Sequence, residues 1–266
     1  MVLSLNNNVM EFRTEYIDGI RFQHPAILYK YRDWNNSFHK KVLLNNSLYL
    51  ASPKTFEDIF DCNVPEKFPT KGELYDFFLA KSKKDNPYGK RQEHRRFARY
   101  WSVYSPLANP SQLKKMIENF NQEFNDRFGV LSLTANCHND DMWKKYSNEH
   151  KGVCIGFDTK LLFECIGGGG EVQYVDSLPT IDFVNDDFRT KHIKNIFCKE
   201  KKWEFEQEYR LHKMWKENIT DNERNIKLSN ECIVEILLGK SMSEEDKDEV
   251  KKIAKEKYPK AKIVEC

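Results

Sequence analysis

The 266-residue sequence is short of the residues that punctuate or cross-link small folds. It holds 11 glycines and 9 prolines, too few for a turn-dense all-β sandwich, a collagen-like chain or a low-complexity one. Its 7 cysteines form no CxxC pair and are odd in number, which argues against a disulfide framework or a zinc knuckle. Cys137 and His138 adjoin, but a zinc site needs a second, spaced pair of ligands, so no metal is expected. No stretch approaches the length of a membrane span. The first residues, MVLSLNNNVMEFR, have neither the basic start nor the apolar run of a signal peptide. A cytoplasmic setting with reduced thiols and no membrane partner is therefore expected. Charge of one sign is not in excess either: 43 basic and 41 acidic side chains leave a net +2, which removes the overall electrostatic reason for a generic polyanion binder.

Aromatic residues are abundant. The 18 Phe, 12 Tyr and 5 Trp supply large buried area per side chain, enough to anchor a core in a chain that is 32% charged. The periodicities predict an α+β fold, a mixed central sheet with flanking helices. Strands are expected at 26–32, 47–51, 129–134, 152–158, 208–214, 225–228 and 233–238, with short helices at 37–44 and 140–148. A mostly helical insertion occupies about 66–128 of a single domain spanning 1–266, with Leu74, Phe77 and Phe78 on one apolar face and Leu113, Ile117, Phe120 and Phe124 on another. The glycine run 167–170 reads as a flexible connection before a strand at 171–175, and a helix is expected from 182 to 199. At the C-terminus comes a strand-helix-strand unit. Its helix starts at Ser243 with Asp246 three residues on, stops at Pro259, and is followed by a strand at 261–265.

Three clusters carry candidate chemistry. In a strand, Tyr29 and Tyr31 take one face and Lys30 and Arg32 the other. The planar fork of Arg32 suits a phosphate or pyrophosphate. Ser132 and Thr134, two apart, put both hydroxyls on one side of their strand, while Trp143 and Tyr146 share a helical face, together forming a wall for a flat ring. In Lys201 to Arg210, an extended chain places Glu204, Glu206 and Glu208 on one face, purposeful in a cleft and tolerable on a wet surface. If that stretch is helical, Glu204 and Glu208 pair instead. A basic segment at 81–99 has eight bases against Asp85 and Glu93, interleaved with Tyr88 and Phe97. Such a run is a solvated face or a weak nucleic-acid contact.

LYKYR at 28–32, LYLASPKTFEDIFDC at 48–62, LSLT at 131–134, MWKKYSNEHKGVCIGFD at 142–158, KKWEFEQEYRL at 201–211 and VEILLG at 234–239 resemble a bacterial family of unknown function, DUF2971. That family has an Asn-Asp-Pro-Phe-Asp run where this chain has Glu57-Asp58-Ile59-Phe60-Asp61, so Asp58 and Asp61 match. The order of an early Arg, a Ser-x-Thr strand and a late Glu-x-Glu is also similar to the ADP-ribosyltransferase fold. That resemblance implies NAD as co-substrate, Arg32 on its phosphates, Ser132 and Thr134 at the ribose, and Glu208 stabilising the oxocarbenium ion. It implies too that Glu206 handles the acceptor, that Trp143 or Tyr146 stacks on nicotinamide, with Tyr29 and Arg210 beside the ligand, and that the protein acts as a toxin or phage-defence effector. Two other readings stay open. One is a metal-dependent nuclease or hydrolase using Asp58, Asp61, Glu206, Glu208 and His150; the other is a non-catalytic binding module.

Overall fold

The computed structural model describes residues 12–17 and 20–266; most of the N-terminal stretch read for a leader lies outside them. A hairpin of β1 (Phe12–Ile17) and β2 (Ile20–Pro25) leads to β3 (Ile27–Arg32), α1 (Ser37–Leu44), β4 (Ser47–Tyr49) and the short β5 (Glu66–Lys67). Three helices follow, α2 (Lys71–Asp85), α3 (Arg91–Tyr104) and α4 (Pro110–Arg127), and then β6 (Phe128–Thr134), α5 (Asp140–Tyr146), β7 (Val153–Asp158) and α6 (Thr159–Ile166). Next come β8 (Gly169–Glu171), β9 (Gln173–Val175), β10 (Ile181–Asp182), α7 (Phe188–Phe197), β11 (Cys198–Glu200) and β12 (Glu208–Met214). The chain closes with β13 (Asn225–Lys227), β14 (Ile233–Leu238), α8 (Glu244–Lys257) and β15 (Lys262–Glu265).

Local chemistry accounts for the helix boundaries. The Asn36 side chain accepts from the Phe38 and His39 amides to start α1, Thr70 and Glu73 form a reciprocal capping box on α2, and Ser243 caps α8 through the Asp246 amide. The central sheet has seven strands in the order β15-β14-β7-β3-β6-β12-β8. It is mixed, since β14 and β15 run parallel while the pairs β14-β7, β7-β3, β3-β6 and β6-β12 are antiparallel. This is the α+β arrangement expected, including the closing strand-helix-strand.

Alternation along the strands separates two faces. One carries Leu28, Leu131, Leu133, Ile155, Phe157, Leu211, Ile236 and Leu238, which pack with Val42 and Leu43 of α1, Leu162 of α6 and Val250 and Ala254 of α8. The other carries Tyr29, Tyr31, Cys154 and Leu237 against Trp143 of α5. Further along that face, Phe128 and Val130 pack with Cys62 and with Ile196 of α7. The helical segment keeps a cluster of its own, Leu74 and Phe78 against Ala98.

Two segments differ from their sequence reading. Gly169 and Gly170 are not a loose connection but part of β8, paired with Leu211 and Arg210 of β12. A Cβ on Gly169 would lie 2.3 Å from the Arg210 carbonyl oxygen, so the glycine is there for close approach rather than for freedom. The expected helix at 182–199 shortens to α7: Asp187 caps it through the Thr190 amide, and both ends are taken up by short strands, β10 paired with β5 and β11 with β9. All seven cysteines are free. Among the described residues no helix is long and apolar enough to cross a membrane.

Candidate functional site

The strands that carry the three sequence clusters are neighbours in the sheet, β3 beside β6 beside β12. Thr134 stands opposite Tyr29 on one side and Glu208 on the other, and Ser132 stands opposite Arg210. β3 is paired with β7 from Ile27 to Arg32, yet with β6 only at Tyr29. Beyond that pair the two strands part. A cavity of about 630 Å³ lies at the parting, lined by residues 29–32 of β3 and by Val130, Ser132 and Leu133 of β6. Its volume falls within the roughly 300–1,000 Å³ of small-molecule sites.

One wall of the cleft is acidic. After β11 the chain makes a 3-10 turn over Lys201–Glu206, and Gln207 takes a left-handed conformation at φ 44° before β12 begins. That turn breaks the alternation expected for an extended stretch: Glu204 is left exposed, while Glu206 and Glu208 are both buried and both converge on Lys199. The Lys199 ammonium donates to Glu206 Oε2 at 2.6 Å and Glu208 Oε2 at 3.1 Å and lies 3.3 Å from Asp61 Oδ2. Arg210, fully buried behind Glu208, donates through Nε to Glu208 Oε1 at 2.7 Å and through Nη2 to Glu208 Oε2 at 2.9 Å and Asp61 Oδ1 at 2.6 Å. Nη1 donates to the Ile196 carbonyl at 2.7 Å. Burial pushes Glu208 up, but Arg210 and Lys199 outweigh it and hold the carboxyl at about 2. Burial opposes the charge on Lys199, and Glu208, Asp61 and Glu206 together raise it above the usual lysine range.

The facing wall is cationic and among the described residues lacks ion pairs, Glu208 and Glu206 acting on Lys30 only at a distance. Among the described residues neither Lys30 nor Arg32 has a carboxylate partner. The Lys30 ammonium donates to the Ser132 carbonyl at 2.5 Å, across the gap where a β3 ladder bond is missing. Burial and then the nearby Arg32 hold Lys30 well below the usual lysine range. The Nε of Arg32 is buried with no hydrogen-bond partner. Burial lowers its pKa as well, but a guanidinium keeps its proton near neutrality. His39, beside them in the cleft, is lowered to about 4 by burial and by the two cations. A Cβ on Gly152 would lie 2.0 Å from the Arg32 carbonyl, so that glycine lets β7 close against this end of β3.

An aromatic corner joins the two walls. The Lys145 ammonium sits 3.8 Å from the Trp203 ring centroid and 4.8 Å from that of Tyr146, and 3.5 Å from Glu206 Oε1. The Tyr146 hydroxyl donates to the same Glu206 oxygen at 2.5 Å. Trp203 is steered by its Nε1, which donates to Asp58 Oδ2 at 2.7 Å.

Of the residues singled out from sequence, Tyr29, Arg32, Ser132, Tyr146, Glu206 and Glu208 line one cleft. Three others do not. Thr134 is fully buried, its hydroxyl accepting from the Asn136 amide. Trp143 belongs to the core, stacked on His150 at 5.5 Å and donating to the Cys137 carbonyl. Arg210 stands behind the cleft, bonded to Glu208 and Asp61 and lying over the Phe56 ring, and the Tyr29 hydroxyl is spent on Glu235 at 2.8 Å. Asp58 and Asp61, read as metal ligands in the nuclease alternative, line the cleft as well, as do Lys30, Lys145, Lys199 and Trp203, which had no assigned role. His150 pairs with Asp140 at 2.8 Å rather than with Asp61 or the glutamates. Among the described residues no group of three or more His, Cys, Asp or Glu is spaced to hold a metal ion, and none of residues 81–99 lines the cleft.

The fold and site thus define an α+β chain with a cleft of about 630 Å³ at the parting of two central strands. Residues 142–211 match the model of a family described as "Protein of unknown function (DUF2971)", in agreement with the resemblance read from the sequence. That segment runs from α5 to β12 and contains Lys145, Tyr146, Lys199, Trp203, Glu206, Glu208 and Arg210. Comparison with curated proteins and with solved structures gives no significant match.

Proposed function

We propose that the cleft binds a phosphate-bearing nucleotide, with NAD as the co-substrate, and that the chain acts as an ADP-ribosyltransferase-like enzyme. The observation that carries this reading is that Arg32, Ser132 and Glu208, far apart in sequence, line the same cleft. Lys30 and Arg32, which form no ion pair among the described residues, and the buried Arg32 nitrogen that lacks a partner suit an anionic pyrophosphate. In the reaction the bond from the ribose C1′ to the nicotinamide nitrogen breaks, and its electron pair leaves with nicotinamide, which departs neutral. The positive charge passes to the ribose as an oxocarbenium ion. Glu208, kept ionised by Arg210 and Lys199, faces that developing cation. An acceptor lone pair then closes on C1′, and its proton passes to Glu206. A place among toxins or phage-defence effectors goes with this activity.

The metal-dependent reading gains nothing from the geometry, because Asp58 is engaged by Trp203 and Lys202 and Asp61 by Arg210 and Lys199. The test is calorimetric and chemical. Millimolar NAD is expected to raise the melting temperature, and nicotinamide to be released on incubation. Arg32→Ala should abolish the thermal response, while Glu208→Gln should keep it and slow release roughly a hundredfold. An unchanged melting curve with NAD, or release undiminished in Glu208→Gln, would overturn the proposal.

A further inference from the structure

The helical segment presents a second surface that has no part in the cleft. In α3 the helical period turns His94, Ala98 and Ser102 inward, all buried, and the His94 ring is tied to the Ser82 hydroxyl of α2 at 2.9 Å. The outward side is then set. Arg95, Arg96 and Arg99 are exposed, followed by Tyr100 at 54%, Val103 at 45% and Tyr104 at 68% exposure. Spacing by four places Arg96, Tyr100 and Tyr104 in one row along the helix. The rings of Tyr100 and Tyr104 lie 4.9 Å apart, and Trp101 meets Tyr100 edge-on at 5.3 Å.

The charge on this face is unbalanced. The two acids of the 81–99 segment are already engaged, Asp85 by Lys81 at 3.0 Å and Glu93 by the Lys90 amide at 2.8 Å. Among the described residues Arg95, Arg96 and Arg99 form no ion pair, nor do Lys83 and Lys84 at the end of α2. Cations without acids seek a polyanion. Exposed rings next to them offer stacking faces that a folded duplex cannot use but unstacked bases can. We infer that the outer face of α3 binds single-stranded nucleic acid, its phosphates on Arg95, Arg96 and Arg99 and its bases on Tyr100 and Tyr104.

The test is fluorescence anisotropy of the full chain with labelled dT20, rU20 and a 20-mer of polyglutamate. Saturable binding of the oligonucleotides is expected, weakening with salt at a log-log slope of about −2 for three phosphate contacts on a single strand. Reversing Arg95, Arg96 and Arg99 to Glu should abolish it. Tyr100→Ala with Tyr104→Ala should weaken it roughly tenfold without changing the salt slope. Lys252→Glu with Lys255→Glu, exposed on α8, should leave it unchanged, and the melting curve of each variant reports folding. Oligonucleotide binding indifferent to the tyrosine changes would show charge attraction alone, and polyglutamate binding tighter than dT20 would point to an acidic protein. Self-association through this face in light scattering, with no oligonucleotide bound, would point to a second copy. Each of these three results overturns the inference. None depends on the NAD response of the cleft.

Discussion

On one side of the cleft Asp61, Glu206 and Glu208 share Lys199 and Arg210, so that each buried charge has at least one opposite within hydrogen-bonding range. On the other side, among the described residues, Lys30 has only a backbone carbonyl within hydrogen-bonding range and Arg32 keeps a buried nitrogen without a partner. The acidic wall is complete without a ligand, and removing any member leaves a buried charge exposed to the cost of desolvation. The cationic wall is incomplete, and holds its charge at the expense of stability. A self-paired wall and one without ion pairs among the described residues thus face each other across a single cavity. Residues of the first wall should declare themselves in folding, those of the second in affinity.

The sharpest way to break the contrast is Arg210→Met, which leaves Glu208 and Asp61 without their main partner. Denaturant titration should show a loss of about 3–5 kcal/mol; a loss under 1 kcal/mol would mean that the acidic wall is not self-sustaining. Next comes acid. The folded-state pKa of Glu208 lies below its ordinary value, so its contribution is present above about 4.5 and is lost as pH falls toward about 2. That span corresponds to roughly 3 kcal/mol. Stability measured from pH 5 to 2 should fall accordingly, and Glu208→Gln should flatten the limb. The smallest effect has the opposite sign. Lys30 is lowered in the folded state, so below its unfolded value it opposes folding, most strongly at low pH. Lys30→Met should therefore raise stability by about 1 kcal/mol near neutrality, with the gain shrinking as pH climbs toward about 10.4. The same variant should lose the thermal response to NAD. A destabilised Lys30→Met would show that the ammonium is needed for the fold.

The elements that were legible in the sequence are those whose signals are local. The helix at 37–44 and the strands at 208–214 and 233–238 coincide with α1, β12 and β14, because an Asn cap or a bounded apolar run needs nothing from elsewhere in the chain. β8 was hidden, since a glycine run gives no side-chain period and its strand conformation depends on the Arg210 carbonyl packed against Gly169. Arg32, Ser132 and Glu208, singled out from chain order, line one cleft. Lys199 was not visible, because it meets Glu206 and Glu208 only through the left-handed turn at Gln207, a conformation glutamine seldom adopts. The sequence offers Trp143 as a cleft wall, whereas the structure puts Trp203 there. What separates them is tertiary: α5 turns Trp143 into the core, and Asp58 draws Trp203 to the cavity.

The single ladder pair between Tyr29 and Thr134 divides the central sheet into two hydrogen-bonded pieces, β15-β14-β7-β3 and β6-β12-β8. Lys30 and Arg32 ride on the first piece, Ser132 and Glu208 on the second. A molecule held by both is a suture across a seam, and its binding energy is also cohesion between the halves. The seam with the fewest ladder pairs in the sheet then runs through the cleft. Occupancy should be readable far from the cleft, as slowed amide exchange along both ladders at once.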